Sequence, residues 1–194
     1  MSNIAGYDYG TSRAARSPVT LEELRALEAS AGFTAADAVA LRQAHQALGP
    51  QAEAMVDLWR AEIARQPHLV QSFCTPDGVP DDRYRAAVKQ RFVQWITDAC
   101  TKPHDQAWLD YQEEIGLRHT PAKKNRTDAT QTPPLVPLRY LLGFIAPVVL
   151  SVRPFLDGHG FSAADVEAMS RAWTKAVLLH VTLWSRAYVR DGLW

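Results

Sequence analysis

The 194-residue chain carries 21 lysines and arginines against 21 aspartates and glutamates, so its formal net charge is zero. That balance offers no global cationic field of the kind that nucleic acid or an anionic membrane selects, and the length suits one domain with a sizeable core. Its two cysteines, Cys74 and Cys100, show no CxxC spacing, which argues against a disulfide scaffold or a tetrahedral zinc site.

Met1 to Tyr9 has neither an apolar signal core nor a basic leader, and no run is read as reaching the roughly 18 apolar residues of a bilayer span. The expectation is a cytoplasmic protein with no membrane and no nucleic-acid partner. Residues 1 to 19 are rich in Gly, Ser, Arg and Tyr; Gly6-Tyr7-Asp8-Tyr9-Gly10 reads locally as a frayed terminus, with a lid folded on the body as the alternative. Thr20-Leu21-Glu22-Glu23 is a capping box that opens a helix to about Ala29. Thr34 with Asp37 caps a second helix, expected to end at Gly49-Pro50, and Met55, Leu58, Trp59 and Ile63 give a third a buried stripe, with Arg60 beside it. Pro67 to Phe73 is a short helical segment, and Thr75-Pro76-Asp77-Gly78 is a turn.

Asp81-Asp82 opens a long helix whose inner face reads Tyr84, Val88, Phe92, Trp95, Ile96 and Ala99, with Arg91 flanking it. From Gln106 to His119 a further helix places Trp108, Gln112, Ile115 and His119 on one inward face, and Thr120-Pro121 stops it. The Glu113-Glu114 pair is assigned to its polar side. Lys123-Lys124-Asn125-Arg126 reads as a solvated charge run. Leu135 to Leu156 is the most apolar segment, kinked at Pro147, and Ser162 with Asp165 caps a last helix running to about Tyr188. No strand pattern appears, and seven or eight helices make the inventory of a non-bundle α fold around an internal ligand.

Among six histidines no pair is spaced four apart on one helix, and HExxH, GxSxG and phosphate loops are absent, so no multidentate metal centre or nucleophilic site can be named. An inward imidazole such as His119 is either a hydrogen-bonded core residue or an axial ligand. One histidine suffices for haem, because the porphyrin supplies four nitrogens. The absence of CxxCH means that such a haem would be held without thioether bonds.

Trp108-Leu109-Asp110-Tyr111-Gln112, Glu114-Ile115-Gly116-Leu117-Arg118-His119, Lys123-Lys124-Asn125 and Thr127-Asp128 resemble the proximal segment of the protoglobins, single-domain haem proteins related to globin-coupled sensor domains. Gly6 to Gly10, Ser72 to Gly78, Arg139-Tyr140-Leu141 with Phe144-Ile145 and Pro147, Pro154-Phe155-Leu156 and Trp184-Ser185 extend the resemblance over essentially the whole chain. It implies an all-α, globin-like α-on-α sandwich (residues 20–194) with an added N-terminal helix, and an N-terminal segment (1–19) packed over haem b. It further implies His119 as the iron ligand, and Trp59, Phe73, Val88, Phe92 and Phe144 lining the distal side. Tyr111 and Val148 also stand against the cofactor, and Arg91 or the Lys123-Lys124 loop pairs with propionates. Val88 stands where many globins place a distal histidine. Family members commonly carry a tyrosine where this chain has Arg60, which is expected to turn toward water.

The function implied is binding of oxygen, carbon monoxide or nitric oxide for sensing, scavenging or detoxification, as a homodimer through the last two long helices. A sensing role would call for a separate partner protein. Tyr140, Trp173 and Trp184 fit either the dimer face or the core. Two alternatives stand beside it: a haem enzyme turning over nitric oxide, peroxide or carbene- and nitrene-type donors, and a haem-free helical interaction domain.

Overall fold

The computed structural model describes residues 4–190 and 192–194; Met1, Ser2 and Asn3 of the N-terminal segment and Asp191 lie outside the described residues. The chain is all helical: α1 (Leu21–Ser30), α2 (Ala35–Ala64), α3 (Pro67–Val70) with a 3-10 turn at Gln71–Phe73, α4 (Asp82–Thr101), α5 (Gln106–Leu117), α6 (Leu138–Leu150), α7 (Arg153–Leu156) and α8 (Ala163–Ser185) with a 3-10 turn at Arg186–Tyr188. Among the described residues the only extended pairing is an isolated bridge between Cys74 and Pro80.

Helix starts are set by side chains that satisfy the orphan N–H groups of the first turn. Reciprocal capping boxes close α1 (Thr20 with Glu23), α2 (Thr34 with Asp37) and α8 (Ser162 with Asp165), while Asp81 and Asp105 cap α4 and α5. Two boundaries differ from the sequence reading. Residues 35–64 form one 30-residue helix straight through Pro50. Pro50 is exposed, and so is Gln46, whose carbonyl loses its i+4 donor there, so the missing N–H leaves no buried hole in the ladder. Conversely, the apolar segment 138–156 breaks at Ser151–Val152 into α6 and α7. Leu138–Leu156 also corrects the expectation that no run reaches span length, since by length and composition alone it is apolar enough to cross a bilayer, with mean hydropathy 1.4.

Helix α8 is the hub: α2, α5 and α6 all pack on it, and α2 also crosses α4. The main core gathers Leu48, Met55, Trp59, Trp95, Met169 and Trp173 at this crossing, giving the globin-like α-on-α arrangement. Leu58, expected in the stripe of α2, is exposed, because the buried face runs Met55, Val56 and Trp59 instead. Trp173 is fully buried and Trp184 is buried beside the cavity, so both belong to the interior. A second, smaller core of Val19, Leu24, Trp108, Leu109 and Leu183 fastens α1 to α5 and α8. Burial of one tryptophan and three leucines at about 1.5–3 kcal/mol each holds such an added helix in place. From Ile4 onward the N-terminal segment is fixed rather than frayed. Tyr7 Oη donates to Asp98 Oδ2 (2.8 Å), Arg118 donates to Asp8 and the Gly6 carbonyl, and the Tyr7 and Tyr9 rings pack on Tyr111. Gly6 makes this possible: its φ of +72° is left-handed, and a Cβ there would meet Arg91 Nη1 and the Thr127 methyl at 2.8 Å.

Candidate functional site

A cavity of about 400 Å³ lies between α2, α4, α6, α8 and the end of α5. Its walls are apolar; among the described residues no Asp or Glu lines it, whereas six cationic side chains and one histidine do. Nine of the ten candidate residues border this one space: Arg60, Phe73, Val88, Arg91, Phe92, Tyr111, His119, Phe144 and Val148. Trp59 stands one layer behind, its ring 5.0 Å from that of Phe92 and its Nε1–H donated to Ser151 Oγ (2.8 Å). The stripe Trp108–Gln112–Ile115–His119 faces inward as expected but divides between the cavity and the smaller core. The face on the cavity is Tyr111, Ile115 and His119, at steps of four, while Trp108 packs into the smaller core and Gln112 bonds Trp184.

His119 lies just past the last turn of α5 and is held from several directions. Its Nδ1 is 2.8 Å from the Ile115 carbonyl, which fixes the N–H on Nδ1 and leaves the Nε2 lone pair for the cavity. Its ring lies on Trp184 (centroids 5.8 Å, 26° between planes), and Trp184 Nε1 donates to Gln112 Oε1 (2.9 Å). Its carbonyl accepts from the Val136 N–H and the Tyr188 hydroxyl. Burial lowers the imidazole pKa to about 4, with Lys124 and Arg118 nearby acting in the same direction, so the ring is neutral and able to ligate. Gly116 lets α5 sit this close to α8, since a Cβ there would lie 3.0 Å from the Trp184 carbonyl oxygen.

The loop after His119 is not a solvated charge run. Lys124 is 2% exposed; its ammonium donates to the Ser72 carbonyl (2.9 Å) and Thr132 Oγ1 (2.6 Å), and Asn125 Nδ2 ties the loop shut at the Thr132 carbonyl. No carboxylate of the described residues pairs with Lys124, and burial lowers its pKa to about 8. Asp128 nearby favours the ammonium but is itself bonded to Arg91, so Lys124 has only neutral hydrogen-bond partners to share with an anionic group that enters the cavity. Arg91 is committed elsewhere, to Asp128 (2.9 and 2.6 Å) and the Ala5 carbonyl. Glu113 and Glu114, expected on a polar face, are buried. Glu113 pairs with Arg186; burial pushes Glu114 up, but Lys123, the Ala15 N–H and Arg118 together hold it below the usual carboxylate range.

The opposite wall carries no comparable polar network. Val88, Phe92 and Phe144 face the space, and Arg60 lies on its rim with the guanidinium 3.8 Å from Asp57, which also receives Lys89. Sequence reasoning missed Lys124 as a buried group and missed the Gln112–Trp184 and Tyr188 supports. No local signal marks the tyrosine; the Lys124 signal was its place in the proximal motif.

Chemically, one free imidazole nitrogen cannot hold a bare metal ion, and no cluster of three metal-ligating side chains exists among the described residues. The arrangement fits a flat, apolar group that brings its own metal ligands and acidic substituents, such as haem, which His119 and Lys124 would hold. A search of curated proteins gives no match. The family model for Protoglobin matches residues 20–194, nearly the whole chain, and the chain therefore belongs to the Protoglobin family, which implies a globin-type, gas-binding haem protein.

Proposed function

We propose that the chain is a haem b protein that binds oxygen, carbon monoxide or nitric oxide for sensing, scavenging or detoxification. The observation that carries this reading is His119, whose Nε2 is free and faces an apolar cavity while Nδ1 is fixed by Ile115. Haem, when bound, supplies an iron able to take a diatomic ligand. Lys124 supplies the cation for a propionate, and Val88, Phe92 and Phe144 keep water from the ligand side.

This distal side has few donors. Val88 offers none, the Trp59 N–H is taken by Ser151, and Arg60 leans toward Asp57. Carbon monoxide needs little hydrogen bonding; bound oxygen, which accumulates charge, is left without support. The haem-loaded, reduced protein should hold carbon monoxide stably and lose its oxygen complex by autoxidation faster than Arg60→Tyr does, read from absorption spectra. Slower autoxidation in the natural chain would refute the donor-poor reading, and failure of the spectrum to change with any of the three gases would refute gas binding.

The apolar stripe on α6, with Leu142 50% and Leu150 77% exposed and Leu178 of α8 exposed as well, supports a homodimer through these helices. Two free, buried thiols suit the reducing cytoplasm in which we place the protein.

A further inference from the structure

Three tyrosines join the cavity to the outer surface. Tyr111, buried on α5, lines the cavity beside the His119 face. Its ring lies 5.3 Å from Tyr7 and 5.5 Å from Tyr9, edge to face, and Tyr7 and Tyr9 stack at 6.3 Å. Both N-terminal tyrosines are half-buried, so the file runs from the cavity to solvent. The two outer rings differ chemically. Tyr7 Oη donates to the buried Asp98 carboxylate at 2.8 Å, whose other oxygen is held by Gln94. Tyr9 has no such acceptor, and the Lys102 ammonium sits 4.6 Å above its ring, where a cation opposes loss of an electron.

We infer that Tyr111 and Tyr7 form an electron outlet, with Tyr7 as the terminal oxidisable site, through which oxidising equivalents from a peroxide-treated haem reach one-electron reductants such as phenols at the surface. The inference rests on the haem reading above.

The step balances. Hydrogen peroxide breaks its O–O bond and takes up two electrons and two solvent protons to give two waters. One electron comes from the haem and the other, by way of Tyr111, from Tyr7, whose phenolic proton passes to Asp98 Oδ2. Two phenol molecules then each return one electron and release one proton to solvent, and Asp98 gives its proton back to Tyr7 as the ring is reduced, so the sum is one peroxide and two phenols to two waters and two phenoxyl radicals.

The tryptophans offer a competing path, since Trp95 and Trp184 also line the cavity and Trp95 donates to His180 Nδ1 at 2.8 Å. That acceptor is poor: burial and neighbouring His104 lower the His180 pKa to about 3, whereas burial raises that of Asp98. The tryptophan cluster is also enclosed, with Trp59 and Trp173 fully buried. A proton released at Tyr7 has a willing base; one released at Trp95 does not.

The test uses the full chain, haem-loaded and ferric, mixed with one equivalent of hydrogen peroxide and frozen within milliseconds for electron paramagnetic resonance. A radical signal that narrows with ring-deuterated tyrosine, loses most of its intensity in Tyr7→Phe and in Asp98→Asn, and persists in Tyr9→Phe supports the outlet. An undiminished signal in Tyr7→Phe, a signal that narrows with deuterated tryptophan instead, or no radical at all overturns it. The Soret band, recorded on each sample before peroxide, separates the two readings. Its presence without a tyrosine radical refutes the outlet alone, while its absence from the natural chain refutes the haem reading and the outlet with it.

Discussion

The two walls of the cavity are built on opposite plans. On the α5 side, His119 is fixed by Ile115, Trp184, Val136 and Tyr188, and the following loop buries Lys124 and locks Arg91 to Asp128. On the α2–α4 side the lining is mostly aliphatic and aromatic; its cations Arg60, Arg85 and Lys89 pair with the exposed Asp57 and Asp82, while Arg91 of α4 is tied across to Asp128. The first wall specifies where an imidazole nitrogen and a cation must be; the second specifies only a shape. Polar precision where a group is to be held, and apolar permissiveness where a small neutral ligand is to enter, is the division of labour expected of a gas-binding site.

Cutting one ion pair on each wall breaks or confirms this contrast. Asp128→Ala leaves the largely covered Arg91 without a counter-charge and should cost about 2 kcal/mol, more than an exposed pair. Asp57→Ala removes an exposed partner and should cost less than about 1 kcal/mol. Denaturant titration of the two variants measures the difference; equal losses would erase the distinction between the walls.

Acid offers a finer cut, because buried imidazoles lie only on the α5–α8 side. Burial sets the His180 pKa near 3, against about 6.5 in the unfolded chain. Below that unfolded value the unfolded state takes up a proton that the folded state refuses, so stability is full at neutral pH and falls as pH drops from about 6.5 toward 3. The slope approaches about 1.4 kcal/mol per pH unit. His180→Gln should flatten this acid limb in chemical denaturation between pH 6.5 and 4, whatever its effect at pH 7. Parallel curves for variant and natural chain would show that His180 does not carry it.

The fold was largely legible because its signals are local. Capping residues at Thr20, Thr34, Asp81 and Ser162 and the helical spacing of apolar residues act within one or two turns, and each marks a real helix start. Errors arose where tertiary contacts outvote local rules. Pro50 stays inside α2 because the helix is held by its buried face on both sides of it, and the carbonyl left without a donor, that of Gln46, is on an exposed residue. Lys124 looks solvated in a run of charges, and only the Ser72 carbonyl, 52 residues away, and Thr132 make its burial tolerable. At the site, the motif pointed to His119, but the face of α5 that meets the cavity depends on how Gly116 lets α5 settle against α8, which no periodicity reveals.

The central claim is that His119 Nε2 is the protein's ligand to haem iron. Absorption spectra of haem-loaded His119→Ala, taken with and without added imidazole, test it most directly. The account predicts loss of the natural Soret band or a weakly held, altered one, with imidazole restoring the natural spectrum by filling the space beside Ile115 and Trp184. A His119→Ala spectrum identical to that of the natural chain would contradict the claim and place the ligand on another residue.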